Sequence, residues 1–197
     1  MDVGGPLRPT LWRTCRALAN RTRLTILSFL FQQPGQTVSA LSDHLKIPLP
    51  VASQYLRALE ARGLLQVKRV GRRVTYRPVP NTTRGPATGL IGPLRQAFAR
   101  DSNPVRSIFR AATAFTHPRR ILIYSVLRRR SQTLAQLRSA TRFSFRALQR
   151  HLHKLQERGF VKCRAGVWSG AVPRESLSRQ LARSVIQQTR AARATGT

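Results

Sequence analysis

The sequence predicts a mainly α-helical protein with small β-hairpins, built from one unit used twice. Three observations carry this. Within residues 50–63 the apolar side chains Ala52, Tyr55, Leu56 and Leu59 recur at helical spacing, and the run ends on Gly63, which tolerates the left-handed conformation that caps a helix. Directly afterwards the pattern turns to alternation, with Leu65, Val67, Val74 and Tyr76 on either side of the basic turn Val70-Gly-Arg-Arg73, as expected of a two-stranded ribbon. Both signals then return in the second half of the chain.

In order, residues 1–6 are a Gly/Pro tail without periodicity. A helix is expected from Leu7 to near Asn20, with Leu11, Trp12, Cys15 and Leu18 as its apolar stripe. A second starts about Thr22, turns Leu24, Leu27 and Leu30 inward and breaks at Pro34-Gly35. Thr37 is the N-cap of a short third helix with Val38, Leu41 and Leu45 on one side. Pro48 and Pro50 mark the turn into the 50–63 helix, where proline is acceptable because first-turn amides have no intrahelical acceptor.

The block then recurs. Residues 17–30 align without gaps to residues 114–127, an offset of 97. After one residue is lost, an offset of 96 pairs Thr37 with Thr133, Leu41 with Leu137, Leu56 with Leu152, Leu59 with Leu155, Arg62 with Arg158 and Gly63 with Gly159. Core positions, cap and loop keep one register, which a chance similarity does not do. Between the copies, residues 81–86 are expected as a loop, followed by a helix through Leu90, Leu94, Ala97 and Phe98 that starts near Gly92-Pro93. Residues 101–104 cap a helix through Ile108, Phe109 and Phe115, and the chain closes with an amphipathic helix on Leu177, Leu181, Val185 and Ile186. The expected division is a tail at 1–6, a first domain at 7–100, a second at 101–190 and a fraying tail at 191–197.

Lys and Arg number 36 against 6 Asp and Glu, a formal charge of +30, which repels itself unless the chain works against a polyanion. A GC-rich genome explains Arg over Lys; it does not explain the shortage of acids. A hydrophobic content of 41% supplies real cores, so the chain is not a disordered basic tail. No apolar run reaches the roughly 20 residues that span a bilayer, and a cytoplasmic, nucleoid-associated location without membrane contact is expected. Cys15 and Cys163 are too few for a disulfide framework and read as small core residues.

Four segments, Ala17-Leu-Ala-Asn-Arg-Thr-Arg-Leu-Thr-Ile-Leu, Thr37-Val-Ser-Ala-Leu-Ser, Ser53-Gln-Tyr-Leu-Arg-Ala-Leu-Glu-Ala-Arg-Gly-Leu and Gly71-Arg-Arg-Val-Thr-Tyr-Arg, resemble ArsR-type winged helix-turn-helix transcriptional regulators. The likeness covers residues 7–100 and, more weakly, 104–197. It implies two winged helix-turn-helix domains in tandem, double-stranded DNA as partner, pairing through first and last helices, and repression as the usual outcome. Metal-sensing members carry cysteines where this chain has Val38-Ser-Ala-Leu-Ser, or Asp/His/Glu sets on the last helix, where residues 88–100 hold no His or Glu. No metal and no cofactor are therefore expected, and the isolated His44 and His117 do not change this. The two copies either fold together as an intrachain pseudo-dimer on an asymmetric site or pair between chains as a homodimer with four readers. The sequence names no small-molecule effector.

On that implied fold, Ser53, Gln54 and Arg57 are the groove-facing candidates of the first copy, since Gln pairs with adenine and Arg with guanine or phosphate. The bland alternative is a solvated face of an amphipathic helix. Leu49, Pro50 and Val51 are unusually apolar and either touch thymine methyls or pack locally. In the second copy Ser144 is the N-cap, Leu148, Leu152 and Leu155 are core, and Arg146, Gln149, Arg150 and His153 are the candidates, with His151 at the Tyr55 position as a packing residue. Lys68, Arg69, Arg72 and Arg73 cluster at the first wing and reach phosphate or a narrow minor groove. The second wing, 163–170, is short and nearly uncharged; its Trp168 is expected to pack, and the wing to add little affinity. Arg128-Arg-Arg130 either meets phosphate or caps helical carbonyls.

The functional expectation is a sequence-specific regulator reading two unlike half-sites; the alternative is a sequence-independent architectural DNA-binding protein. RNA is less suited, for want of a sheet displaying aromatic platforms. Scattered acids, no Ser/His/Asp arrangement and no phosphate-binding glycine loop argue against an enzyme.

Overall fold

The computed structural model describes residues 10–79 and 86–194. The tail at 1–6, the helix start at Leu7, the linker at 81–85 and the last three residues lie outside them. The described chain runs α1 (Leu11–Leu18), α2 (Arg21–Gln32), α3 (Val38–Leu45), α4 (Leu49–Glu60), β1 (Gln66–Val70), β2 (Arg73–Arg77) and α5 (Pro86–Arg100). It continues α6 (Pro104–Thr113), α7 (Pro118–Leu127), β3 (Gln132–Thr133), α8 (Leu134–Thr141), α9 (Phe145–Glu157), β4 (Val161–Arg164), β5 (Val167–Gly170) and α10 (Ser176–Ala194). Apart from the added strand β3, the elements from α6 onward follow one another in the order of the first seven.

Caps explain most boundaries. Asn20 accepts from the Arg23 amide at 2.9 Å and starts α2, which is why α1 stops at Leu18, before the expected end. Thr37 accepts from the Ala40 amide and starts α3. Thr133 does the same for α8 and completes a capping box, as the Gln136 side chain accepts from the Thr133 amide at 2.9 Å. Asn103 and Pro104 open α6, whose end at Thr113 leaves Phe115 buried just beyond the helix. Gly63 and Gly159, at φ of 71° and 79°, stop the chain after α4 and α9 and turn it into the hairpins.

Three helical expectations need correction. Helix α5 starts at Pro86 rather than near Gly92, with Pro93 inside it. An interior proline costs about 3 kcal/mol, but Leu90, Ile91 and Leu94 are buried on the face that meets α10, and each contributes about 1.5–3 kcal/mol. Burial wins. Helix α10 continues through Ala194, so residues 191–194 belong to it and not to a tail. Tyr55 is only half-buried at the margin of the core, with the Arg23 guanidinium over its ring at 5.7 Å.

The hairpins are antiparallel. In the first, Val70 faces Arg73 across a two-residue turn with Gly71 at φ 55°, and the Gln36–Tyr76 bridge adds a third edge. In the second, β3 pairs β5 through Gln132 and Trp168, and β5 pairs β4 around a turn of Ala165 and Gly166, both at positive φ. Trp168 packs half-buried on the core, as expected.

The interior is shared. Helices α1, α5, α6 and α10 pack on one another, with Leu11, Cys15 and Leu18 of α1 and Ile108, Ala111 and Ala112 of α6 buried among them. The Leu11 amide, an orphan donor of the first turn, is taken by Gln188 Oε1 of α10 at 3.3 Å. Gly89 lets α5 approach α10, for a Cβ there would run into the Gln180 amide. Where α2 and its surroundings use Leu18, Leu27 and Leu64, the second half interlocks Phe115, Tyr124 and Phe160 edge to face, with centroids 4.6–5.7 Å apart.

Candidate nucleic-acid interface

Helix α4 is presented by a tight turn. Lys46 ends α3 in the left-handed region, the Ser42 hydroxyl donates to the Ile47 carbonyl at 2.7 Å, and Pro48 leads into the helix. Ala52, Leu56 and Leu59 are fully buried, which fixes the helix's rotation and turns Gln54 and Arg57 to solvent with Ser53 half-exposed at the edge. Leu49 is exposed at the first helical position.

Helix α9 is presented in the same manner. Arg142 ends α8 in the left-handed region, and the Ser144 hydroxyl accepts from the Ala147 amide. Leu148, His151, Leu152 and Leu155 are buried, and Arg146, Gln149, Arg150 and His153 are exposed. His153 shares Glu157 with Lys154 and Arg158, its Nδ1 lying 3.4 Å from Oε1. Among the described residues, every ion pair converges on that one carboxylate, and its hydrogen bond from Lys154 lowers its pKa. Among the described residues the cations of α4 and of the first hairpin form no ion pair, although Glu60 lies on the same helix as Arg57.

His151 is more deeply buried than a packing residue needs to be. Neither ring nitrogen has a hydrogen-bond partner, and the ring lies 4.8 Å from His117, the N-cap of α7. Burial first, then His117, Arg120, Arg150 and Arg119, push its pKa down to about 4, so the ring is neutral at pH 7. His117 is held below its ordinary value by burial and by three arginines. His44 stacks on Phe29 at 4.1 Å. Among the described residues no three His, Cys, Asp or Glu side chains gather as a metal site would require.

The wing cations do not form one cluster. Cross-strand pairs share a face, so Lys68 with Thr75 and Val70 with Arg73 lie on one side, and Arg69 with Val74 on the other. Arg69 is therefore on the Tyr76 side, where burial and Glu60 raise the tyrosine's pKa and Arg57 and Arg69 oppose them. Lys68, Arg72 at the tip and Arg73 form the outer face. In the second hairpin Lys162 and Arg164 are exposed on β4, so it is less bare of charge than the segment 163–170 suggests. The Arg128 guanidinium donates to the Gly170 carbonyl at 3.2 Å and ties α7 to the hairpin, a contact that neither of its expected roles included.

Sequence reasoning passed over Phe145, the first residue of α9, which is exposed with the Arg138 guanidinium 5.0 Å above its ring. The offset of 96 was the available signal, for it pairs Phe145 with Leu49.

Residues 20–67, which run from the cap of α2 into β1, match the family model described as bacterial regulatory protein, arsR family. A stretch of 62 residues, 32% of the chain, is 40% identical to the HTH-type transcriptional repressor SmtB in two strains of Mycobacterium tuberculosis. That stretch spans 45% of the length of those relatives, so the chain covers about half of them. No solved structure matches. Residues 20–67 are thus similar to the helix-turn-helix region of ArsR-family regulatory proteins. Among the described residues no helix is long and apolar enough to cross a membrane.

Proposed function

We propose that this chain is a sequence-specific, double-stranded-DNA-binding transcriptional regulator in which two winged helix-turn-helix units, one in each half, read two unlike half-sites. The observation that carries the reading is a contrast between α4 and α9: they match in the left-handed residue before them, the glycine after them and their buried leucines but differ in what they expose. Equivalent scaffolds with unlike outer faces suit an asymmetric site. Packing of α1 and α5 with α6 and α10 supports an intrachain pseudo-dimer, with one chain taking the place of the usual pair. Repression is the outcome we favour, from the named activity of the similar relatives.

Lys68, Arg72 and Arg73 hold phosphate, while Ser53, Gln54 and Arg57 on α4 and Arg146, Gln149, Arg150 and His153 on α9 meet base edges or the groove rim. Arg69 contributes chiefly to the seating of the wing. The charge of +30 favours a second reading, an architectural protein that coats DNA without regard to sequence. Purified protein mixed with fragmented genomic DNA near physiological salt separates them. An enriched motif with two different halves supports the regulator, a palindrome supports pairing between chains, and uniform recovery supports the architectural protein.

A further inference from the structure

We infer that Leu49 and Phe145 read thymine methyl groups, one in each half-site. The inference rests on the functional reading above and adds a base-type preference to it. Both are the first residue of their helix, both are large and apolar, and both stay open to solvent at 49% and 41% exposure. Most of the chain's other large apolar residues on α4 and α9 are buried, so the core does not account for these two.

Their position is the informative part. Residues four apart on a helix form one ridge, and the ridges are Leu49, Ser53, Arg57 and Phe145, Gln149, His153. In each case the apolar residue heads the ridge that carries the candidate groove contacts, at the N-terminal end, where helix-turn-helix proteins approach base edges. The thymine methyl is the apolar group that the major groove offers. Opposite an adenine amine or a guanine carbonyl, either side chain would leave a desolvated polar group unpaired, so the contact discriminates as well as attracts.

The surroundings fit the two sites differently. Leu49 stands between Pro48 and Pro50, which restrict the backbone that carries it. Phe145 has Arg138 over its ring and borders a depression of about 490 Å³ lined also by Arg142 and Phe143, so cations flank the apolar contact. The first half has Ser42 and Lys46 at the matching positions, so one cation rather than two flanks Leu49.

The test uses the full chain and the duplex enriched from genomic DNA, with deoxyuridine replacing thymine one position at a time, which removes the methyl and keeps the base pair. The expected result is about fourfold weaker binding at one or two thymines in each half, the worth of one buried methyl group. Leu49→Ala should lose that sensitivity in one half only and Phe145→Ala in the other, with unchanged melting temperatures because both residues are exposed. An all-deoxyuridine site bound as tightly as the thymine site overturns the inference while leaving the regulator reading intact. Sensitivity that persists in both variants overturns it too. If the enriched and scrambled duplexes bind alike, with or without methyls, both readings fall together.

Discussion

Arg23 and Arg120 make the same clasp 97 positions apart. Arg23 Nε donates to the Ala17 carbonyl at 2.6 Å and its Nη2 to the Arg16 carbonyl; Arg120 Nε donates to the Ala114 carbonyl at 2.7 Å and its Nη2 to the Thr113 carbonyl. Each arginine sits in the first turn of the second helix of its half and satisfies carbonyls left over where the first helix ends. The acceptors are themselves 97 positions apart, so donor, acceptors and helix junction repeat together.

That clasp is worth testing directly. Hydrogen bonds to a charged donor contribute about 1.5–3 kcal/mol each, so Arg23→Ala and Arg120→Ala should each lower the unfolding free energy by a margin of that order, read as a lower urea midpoint. Lysine should rescue either poorly, since its ammonium lacks the rigid planar fork that presents Nε and Nη2 to the two carbonyls at once. An unchanged midpoint in both variants would show that the clasp contributes nothing.

Reading and holding should separate by mutation. Gln54→Ala is expected to relax preference at one base position without altering the salt dependence, whereas Arg72→Ala should weaken all duplexes alike and reduce the salt slope by about 1. Arg69→Ala, on the Tyr76 side of the wing, should change the slope less than Arg72→Ala. Binding titrations across a range of salt decide this, and equal slopes for the two wing variants would contradict the facing assigned from strand register.

His151 makes stability depend on pH in a defined direction. Its pKa is about 4 in the folded chain against 6.5 when unperturbed, so the unfolded chain takes up the proton first as pH falls. The stabilisation is complete above about 6.5 and is lost progressively as pH falls toward about 4. The thermal midpoint should therefore drop between pH 7 and pH 5, and His151→Leu should flatten that drop. A variant as pH-sensitive as the parent would place the cause elsewhere.

The two cysteines should differ in reactivity. Cys15 is fully buried and its pKa is raised by burial, against a smaller opposing pull from Arg120. Cys163 is half-buried on β4. A maleimide added to native protein should modify Cys163 alone, with Cys15 reacting only after unfolding. Two fast-reacting thiols in native buffer would mean that α1 opens readily from the shared core.

Periodicity and caps by themselves determined the helices from α1 to α4, the first wing and the outward positions of Gln54, Arg57, Gln149 and Arg150. These follow from neighbours three or four residues apart, so the information is local. Tertiary packing decided the rest. Pro93 reads as a helix start in one dimension, and only the burial of Leu90, Ile91 and Leu94 against α10 keeps it inside α5. Arg128 reads as a phosphate contact or a cap for helical carbonyls, and its bond to Gly170, 42 residues later in the chain, depends on the fold. Lys68 and Arg69 part by strand alternation alone, but that Arg69 falls on the face of the buried Tyr76 is set by the pairing of β1 with β2. Charge and spacing say what a side chain can do; which partner it meets is set by contacts between residues far apart in the chain, whose energies no local window contains.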